Sequence, residues 1–148
     1  MASRRFATVA GYEGKVRLPV RKTRLSAGYD LEAAEEVLVE PGRVALIPTG
    51  LKAYMEDGDV LLLAIRSSMA VKRGLMLANG IGVIDADYVD NPDNEGHVLV
   101  AVANTGQSPV RIQVGERIAQ AIFTRFLTTD DDTASGERKG GLGSTGDR

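Results

Sequence analysis

The sequence contains no cysteine and no tryptophan, and His97 is its single histidine. Without thiols the chain forms neither disulfides nor thiolate zinc sites, and a cysteine nucleophile is excluded. One imidazole cannot build a metal site that needs several histidines. These absences remove the commonest thiolate and imidazole chemistry from consideration.

Long hydrophobic runs are absent as well. The longest unbroken apolar stretches, residues 60–65 and 98–103, have six residues each, whereas a membrane-spanning helix needs about 20. The first fourteen residues carry charge but no apolar stretch of the length that a signal peptide requires. We therefore expect a soluble, cytoplasmic protein that binds no membrane.

Charge is nearly balanced, with 18 basic and 20 acidic residues and a net charge of −2. Residues 1–25 hold seven lysines or arginines against one acid, Glu13. Because a nucleic-acid-binding domain is usually basic as a whole, this distribution favours a solvated strand face over stable nucleic-acid binding. The length of 148 residues corresponds to a single domain.

Turn signals separate a series of short apolar runs. The turns are Pro41-Gly42, Asp57-Gly58, Asn79-Gly80, Asn94-Glu95-Gly96, Asn104-Thr105-Gly106 and Val114-Gly115. The runs between them are rich in Val, Ile and Leu and occupy residues 37–39, 44–47, 60–65, 81–84, 98–103, 110–114 and 118–123. This spacing predicts an all-β sandwich or barrel. Residues 60–65 are apolar on both faces, so we expect a second sheet or another subunit to cover the second face.

One segment interrupts the β pattern, because residues 67–74 (SSMAVKRG) predict a short helix. The two serines are candidate N-caps, the Lys-Arg pair suits the negative end of the helix dipole, and Gly74 can adopt the left-handed stop. The N–H groups of the first turn, the hydroxyls and the preceding Arg66 suit an anion. An ordinary cap that binds nothing is the commoner reason for such a sequence.

From Thr128 onward the composition changes. Residues 128–148 contain one large apolar side chain, Leu142, together with five glycines. We therefore divide the chain into a β-barrel domain, residues 1–128, and a flexible C-terminal arm, residues 129–148. The arm's sequence RKGGLGSTG offers amides, hydroxyls and an arginine to phosphate groups, and a tail without any role is the alternative.

Asp85 and Asp87 follow an apolar strand and alternate onto one face, with Ala86 on the other. A calcium loop of the EF-hand type is excluded, because Val89 and Asp90 occupy the positions of a required ligand and glycine. Two interpretations stay open: a solvated hairpin tip, and a catalytic carboxylate fixed at a strand end. The pattern by itself favours the hairpin tip.

Five segments in order resemble the signature of the trimeric dUTP pyrophosphatase (dUTPase) family. They are AGYDL at 27–31, RSSMA at 66–70, NGIGVIDADY at 79–88, GERIAQ at 115–120 and RKGGLGSTG at 138–146. Each is short, but the five together in this order are a specific match. The resemblance implies a jelly-roll-like β-barrel with one short helix, assembled as a homotrimer with sites shared between subunits.

The resemblance also implies hydrolysis of dUTP to dUMP and pyrophosphate with Mg²⁺, which keeps uracil out of DNA and supplies dUMP for thymidylate synthesis. Asp85 matches the general base that activates the attacking water. Asp30 matches a position that contacts metal-bound water, the metal itself being held mainly by substrate phosphates. The positions that match phosphate-binding residues are Arg66, Ser67, Ser68 and Gln120.

Base and sugar recognition is implied in the same way. Main-chain groups of a β-hairpin would read the uracil edge, and Tyr88 would lie under the deoxyribose, leaving no room for a 2′-hydroxyl; a plain core tyrosine is the alternative. Residues 96–99 would complete the slot, ending in Leu99. The remaining hairpin positions are Asn79, Gly82, Val83 and Ile84. The matching arm positions are Arg138, Leu142, Gly143, Ser144 and Thr145.

The chain departs from the family pattern in three places, one of which is Lys139, an added cation after Arg138 in the fifth segment that would strengthen or redirect the γ-phosphate contact. Residues 89–95 (VDNPDNE) intervene before Gly96, where the family usually has Asp-Tyr-x-Gly, and Leu142 replaces an aromatic that stacks on uracil. The related dCTP deaminase resembles the chain less, because it uses a glutamate in the region of the third segment. A non-catalytic nucleotide sensor, with residues 89–95 as its contact surface, is the alternative outside the enzymes.

Overall fold

Antiparallel strands dominate residues 3–143, the part of the chain that the computed structural model describes. In chain order the elements are β1 Arg5–Thr8, β2 Tyr29–Glu32, β3 Val37–Val39, β4 Val44–Pro48, β5 Leu51–Tyr54, β6 Asp59–Ile65, α1 Ser67–Arg73, β7 Leu75–Leu77, β8 Gly82–Asp85, β9 Leu99–Asn104, β10 Val110–Ile112 and β11 Arg117–Arg125. The expected all-β class with one short helix is confirmed. Within these residues, that helix is too short to cross a membrane.

Four groups of paired strands form the jelly-roll-like barrel. The largest sheet has the order β2-β11-β6-β8, and a three-stranded sheet has the order β4-β9-β7. β1 pairs with β5, and β10 pairs with β3. β8 is an edge strand of the largest sheet, so no described strand pairs with the backbone groups on its outer side.

The core lies between the inward faces of these sheets. Along β6, the buried residues Leu61 and Leu63 alternate with the partly exposed residues Val60 and Leu62, as the two-residue period of a strand requires. Fully buried side chains from six strands surround them: Leu31, Val39, Ile47, Val100, Val102, Ile112 and Ile118. The chain therefore covers one face of β6 and leaves the second apolar face partly open.

That second face continues onto the neighbouring strands. Leu62 is paired with Val83 of β8 on one side and with Ile122 of β11 on the other. Directly paired residues project to the same side of a sheet, and Val83 is 56% exposed. The three side chains form an outer apolar face, a name used below for this surface.

The helix differs from the sequence prediction at its start. Its N-cap is Arg66, which has an extended backbone, and no side chain caps the helix. The expectation that Ser67 or Ser68 is the cap is therefore wrong, since both lie in the first turn. At the other end, Gly74 adopts the left-handed conformation with φ of 66° and donates its N–H to the Met69 carbonyl, as predicted.

Candidate active site

A small pocket of about 190 Å³ lies beside the C-terminal end of β8. Strand β8, the turn after it, the start of β9 and the C-terminal arm all contribute to its wall. The lining residues are Val83, Ile84, Asp85, Tyr88, Leu99, Arg138, Gly141, Leu142 and Gly143. All of these except Gly141 are site residues predicted from the sequence.

Arg138 joins the arm to the acidic end of β8. Its Nη2 donates to Asp85 Oδ2 at 2.6 Å, and its Nε donates to Asp87 Oδ1 at 2.8 Å. The guanidinium side chain is only 11% exposed, whereas the two carboxylate side chains are 55% and 60% exposed. The hydrogen bond to Asp87 raises the pKa of Arg138 above its ordinary value, so this side chain stays cationic.

Tyr88 forms the inner wall of the pocket. Its ring is 7% exposed, and the guanidinium carbon of Arg138 lies 5.8 Å from the ring centroid. The hydroxyl donates to the His97 carbonyl oxygen at 2.8 Å and accepts from Asn94 Nδ2 at 2.9 Å. With both roles of the phenol occupied, the ring has a fixed orientation toward the pocket.

Residues 89–95, called the 89–95 loop below, fold into a tight structure behind Tyr88. Asn91, which is 6% exposed, donates from Nδ2 to the Tyr88 carbonyl at 2.7 Å. Asp90 and Glu95 both have positive φ angles, 59° and 64°, a conformation that non-glycine residues rarely adopt. Such a backbone persists only where its surroundings hold it.

Lys52 of β5 fastens the base of this loop. Its Nζ lies 2.6 Å from Asp90 Oδ1 and 2.8 Å from Glu95 Oε2, and the Tyr54 hydroxyl donates to Asp90 Oδ2 at 2.7 Å. Hydrogen bonds to these carboxylates raise the pKa of Lys52, while Lys52 lowers the pKa of Asp90 and of Glu95. Asp90 and Glu95 thus tie the 89–95 loop to strand β5.

The predicted phosphate-binding residues gather elsewhere, around the start of α1. β11 places Gln120 opposite Asp30 of β2 and opposite Ala64 of β6. Arg66 Nη1 donates to the Arg117 carbonyl at 3.4 Å, and the Arg117 guanidinium lies 3.6 Å from the Asp30 carboxylate. This cluster brings together Asp30, Arg66 and Gln120, with Ser67 and Ser68 following in the helix.

The two groups of residues are far apart within one chain. Asp85 lies opposite Val60 near the start of β6, whereas Arg66 directly follows Ile65 at the end of that strand. At about 3.3 Å per residue, the strand separates the two positions by about 20 Å. A single chain therefore places its Asp85 and its Arg66 too far apart for both to contact one phosphate group.

Two predicted hairpin residues do not line the pocket. Asn79 is exposed between β7 and β8. Gly82 lies against β6, where a Cβ atom would come within 2.8 Å of Leu63 Cβ, so glycine lets the two strands approach closely. Ser144 and Thr145 lie outside the described residues.

Four contributors were not predicted as site residues: Asp87, Asp93, Asn94 and Gly141. Asp87 could have been included because it alternates with Asp85, which puts both carboxylates on one side, and Gly141 lies within the fifth segment. Asp93 and Asn94 belong to the 89–95 loop, and Asp93 contacts the arm at a residue 48 positions away, a distance across which the sequence holds no local signal.

The described carboxylates, in residues 3–143, do not form a metal cage. Within residues 3–143, no three His, Asp or Glu side chains lie close enough to hold a metal ion together. Mg²⁺ is commonly bound through one or two carboxylates together with substrate phosphates and water. The single carboxylate Asp30, beside the predicted phosphate residues, fits a metal of that kind.

Comparison with known proteins identifies the family. The dUTPase family model matches residues 14–146. A deoxyuridine 5'-triphosphate nucleotidohydrolase of Lactococcus lactis subsp. lactis is 50% identical over 99% of each chain. The crystal structure of dUTPase from Streptococcus mutans has a TM-score of 0.82 and 44% identity, covering 85% of this chain and 98% of that one. The chain therefore belongs to the dUTPase family, and the reaction that it catalyses is the hydrolysis of dUTP.

Proposed function

We propose that the enzyme cleaves the α–β anhydride of dUTP with a water molecule that Asp85 activates. The water oxygen bonds to the α-phosphorus, its proton passes to the Asp85 carboxylate, and the bond to the bridging oxygen breaks. The products are pyrophosphate, which is the leaving group, and dUMP. The observation that carries this proposal is the position of Asp85, at the rim of a nucleoside-sized pocket and beside a buried arginine. Because an aspartate is a weak base, accurate placement of the water supplies much of the rate.

Arg138 connects substrate binding to the release of this base. In the structure its guanidinium occupies Asp85 Oδ2. A γ-phosphate offers the guanidinium a more highly charged acceptor of matching geometry. When Arg138 moves from Asp85 to the phosphate, Oδ2 becomes available to the water as well, so that binding of a triphosphate frees the second oxygen of the base.

The pocket walls suit a deoxyuridine. The outer backbone groups of β8 are available as hydrogen-bond donors and acceptors because β8 is an edge strand. Fixed donors and acceptors reject cytosine, since the wrong base edge leaves buried polar groups unpaired. The immobile Tyr88 ring excludes a 2′-hydroxyl, and Leu142, which is 70% exposed at the pocket mouth, covers the base in place of an aromatic side chain.

The metal that we infer is Mg²⁺. When bound, it neutralises phosphate charge and holds the triphosphate in one conformation. Asp30 would contact it through water, while Arg66, Ser67, Ser68 and Gln120 bind the α- and β-phosphates. Support comes from the donor set, which offers one carboxylate beside several phosphate-binding side chains.

We infer a homotrimer in which each site takes Asp85 from one chain and Arg66 from its neighbour. The separation of about 20 Å between these residues in one chain supports this assembly. The outer apolar face of Leu62, Val83 and Ile122 supports it as well, because a second chain would bury this surface.

The substrate indicates where the enzyme acts. A free nucleoside triphosphate is met in the cytoplasm, and we place the protein there, without stable binding to membranes or nucleic acids. Removing dUTP keeps uracil out of DNA, and the dUMP that is formed supplies thymidylate synthesis.

Release of pyrophosphate from dUTP, dCTP, dTTP and UTP tests this function. We expect rapid release from dUTP in the presence of Mg²⁺ and rates lower by at least about a hundredfold for the other three nucleotides. Chromatography of the dCTP reaction would reveal deamination directly. Formation of dUTP from dCTP, or no pyrophosphate from dUTP, would overturn the proposal.

A further inference from the structure

The 89–95 loop holds the C-terminal arm by a direct contact. The Gly141 N–H donates to Asp93 Oδ2 at 2.9 Å, and Gly140 and Gly141 are both buried. A hydrogen bond from an amide to a carboxylate is charge-assisted and therefore stronger than a neutral one. Together with the ion pairs of Arg138, this contact fixes the arm at two points, one on each side of Lys139.

Glycine at position 141 is required because Asn94 lies directly beneath it. A Cβ atom on Gly141 would come within 2.9 Å of Asn94 Cγ and Oδ1, so the backbone of the arm rests on this amide. At Gly136, in the same arm, a Cβ atom would meet no heavy atom within 4 Å. The close contact is therefore local to the end of the arm.

Asn94 also reaches the nucleoside pocket. Its Nδ2 donates to the Tyr88 hydroxyl at 2.9 Å, while its Oδ1 accepts from Asn91 Nδ2 at 2.8 Å and from the Gly96 N–H at 3.1 Å. One side chain thus contacts the arm and orients the tyrosine. A displacement of the arm at Gly141 therefore shifts Asn94 and changes its hydrogen bond with the Tyr88 hydroxyl.

The Asp93 backbone N–H takes part in holding the 89–95 loop, donating to Asn91 Oδ1 at 3.0 Å, whereas the Asp93 side chain makes no hydrogen bond to the other described residues of the loop. Asn91 and Lys52 hold the loop through buried or nearly buried hydrogen bonds. The Asp93 side chain is exposed, and within residues 3–143 its one hydrogen-bond partner is Gly141. Its position is explained by the arm and not by the packing of the loop.

We propose that Asp93 and Asn94 are positioning residues for the hydrolysis of dUTP. Asp93 docks the arm on the 89–95 loop, so that Arg138 is delivered to the γ-phosphate, and Asn94 couples the docked arm to Tyr88. The inference rests on the proposed function, since it takes Arg138 as the phosphate contact and Tyr88 as the support of the sugar. In this proposal the 89–95 loop is the surface on which the C-terminal arm docks, with or without nucleotide.

Two variants remove the contact from opposite sides, and each has a matched control. Asp93→Ala deletes the acceptor, and Gly141→Ala places a methyl group against Asn94. Glu40→Ala, in the exposed turn between β3 and β4, removes the same charge elsewhere, and Gly136→Ala adds a methyl group where the arm has open space. Circular dichroism and thermal unfolding confirm that all four variants are folded.

Steady-state kinetics provide the first measurement. We expect both test variants to raise KM for dUTP by about tenfold, equivalent to about 1.4 kcal/mol, with a smaller change in kcat. Inhibition by dUMP should not change in Asp93→Ala, because dUMP lacks the phosphates that Arg138 contacts, whereas it should weaken in Gly141→Ala, because the added methyl group displaces Asn94 and with it Tyr88. The double variant should be no worse than either single one, since both remove the same contact.

Tryptic cleavage after Arg138 or Lys139 provides the second measurement, with the products quantified by mass spectrometry. We expect cleavage several-fold faster in Asp93→Ala and Gly141→Ala than in the wild type, with and without a non-hydrolysable α,β-imido analogue of dUTP. The control variants should match the wild type.

The two measurements also separate this inference from the proposed function. Wild-type KM and cleavage rate in Asp93→Ala would overturn the inference, as would an equal change in the controls or additive effects in the double variant. If the wild type released no pyrophosphate from dUTP, the proposed function would fail, while the cleavage rates without nucleotide would still decide whether the loop docks the arm.

Discussion

Asp85 and Arg138 are 53 positions apart in the chain and meet through one carboxylate oxygen. An ion pair with a carboxylate this exposed contributes little to folding, about 0–1 kcal/mol. The pairing of a nearly buried guanidinium with two exposed carboxylates is therefore better explained by a role in the reaction than by a contribution to folding. Arg138 contacts both Asp85 and Asp87, and in the proposed mechanism a substrate phosphate takes this cation away from them.

The role of Asp85 as the base predicts a sharp difference between two neighbouring carboxylates. Asp85→Asn should lower kcat by about 10²–10⁴, because the amide keeps the shape but cannot accept the proton. Binding of the α,β-imido analogue, measured by calorimetry, should be equal or tighter, since Arg138 is held less firmly. Asp87→Asn is the matched control and should lose far less activity. An equal decrease of kcat in the two variants would contradict the role of Asp85 as the general base.

The surroundings of His97 predict how the free energy of unfolding depends on pH. Its Nε2 accepts the Gly50 N–H at 2.8 Å, so this nitrogen carries no proton, and burial lowers the pKa of His97 below its usual value of about 6.5. Below that pH the unfolded chain takes up a proton that the folded chain resists. The contribution of His97 to the free energy of unfolding is therefore retained above about pH 6.5 and decreases as the pH falls further.

Urea unfolding of the wild type and of His97→Gln at one protein concentration tests this dependence. Glutamine retains an acceptor for the Gly50 amide but does not titrate, so the carboxylates contribute equally to both proteins. The free energy of unfolding of the wild type minus that of the variant should be greater at pH 7.5 than at pH 5.5. A difference that grows toward acid pH would contradict the argument.

At the scale of the elements, the apolar runs of the sequence correspond to seven strands, β3, β4, β6, β8, β9, β10 and β11, all rich in Val, Ile and Leu. No such run marks β1, β2, β5 or β7. β1 and β5, in contrast, contain Arg5 and Lys52 and become strands by pairing with each other. Their short sequences have no strong preference, so tertiary pairing decides their structure.

The site shows the same limit. The residues that carry chemistry could be identified because their types and order match a known signature. Contacts between distant segments could not be identified from the sequence, because no local pattern reveals them. Gly28 illustrates this: a Cβ atom there would come within 2.3 Å of Gln120 Oε1, so the first segment is shaped by the fourth, which lies about ninety residues later.

The contacts of Lys52 predict that the 89–95 loop depends on strand β5 for its stability. Lys52→Met removes the cation between Asp90 and Glu95 and leaves the two carboxylates with the hydrogen bonds from Tyr54 and the Ala10 N–H alone. We expect the free energy of unfolding to fall by about 1–3 kcal/mol, and KM for dUTP to rise because the seat of the arm is loosened. Lys72→Met, in the exposed last turn of α1, is the control. Thermal unfolding and dUTP kinetics on both variants measure the two effects.

At the scale of the whole molecule, the proposed function requires an assembly. In that proposal the pocket at β8 supplies the base and the sugar support, whereas the start of α1 supplies the phosphate contacts. Within one chain these two sets of residues lie about 20 Å apart. An assembly that places the α1 end of one chain against the β8 pocket of the next would complete three sites at once and cover the outer apolar face. Sedimentation should then give about three times the chain mass of 15.8 kDa.

Mixed trimers test the sharing of sites directly. Asp85→Asn and Arg66→Gln should each be nearly inactive alone, because every site then lacks the base or a phosphate contact. Unfolded together in urea and refolded at equal amounts, the two variants form trimers in which a site can take Asp85 from the Arg66→Gln chain and Arg66 from the Asp85→Asn chain. Random association makes about a quarter of the sites complete, so about a quarter of wild-type activity should return. Mixing without unfolding is the control and should restore little. No recovery after refolding, with trimers present by sedimentation, would show that each chain completes its own site.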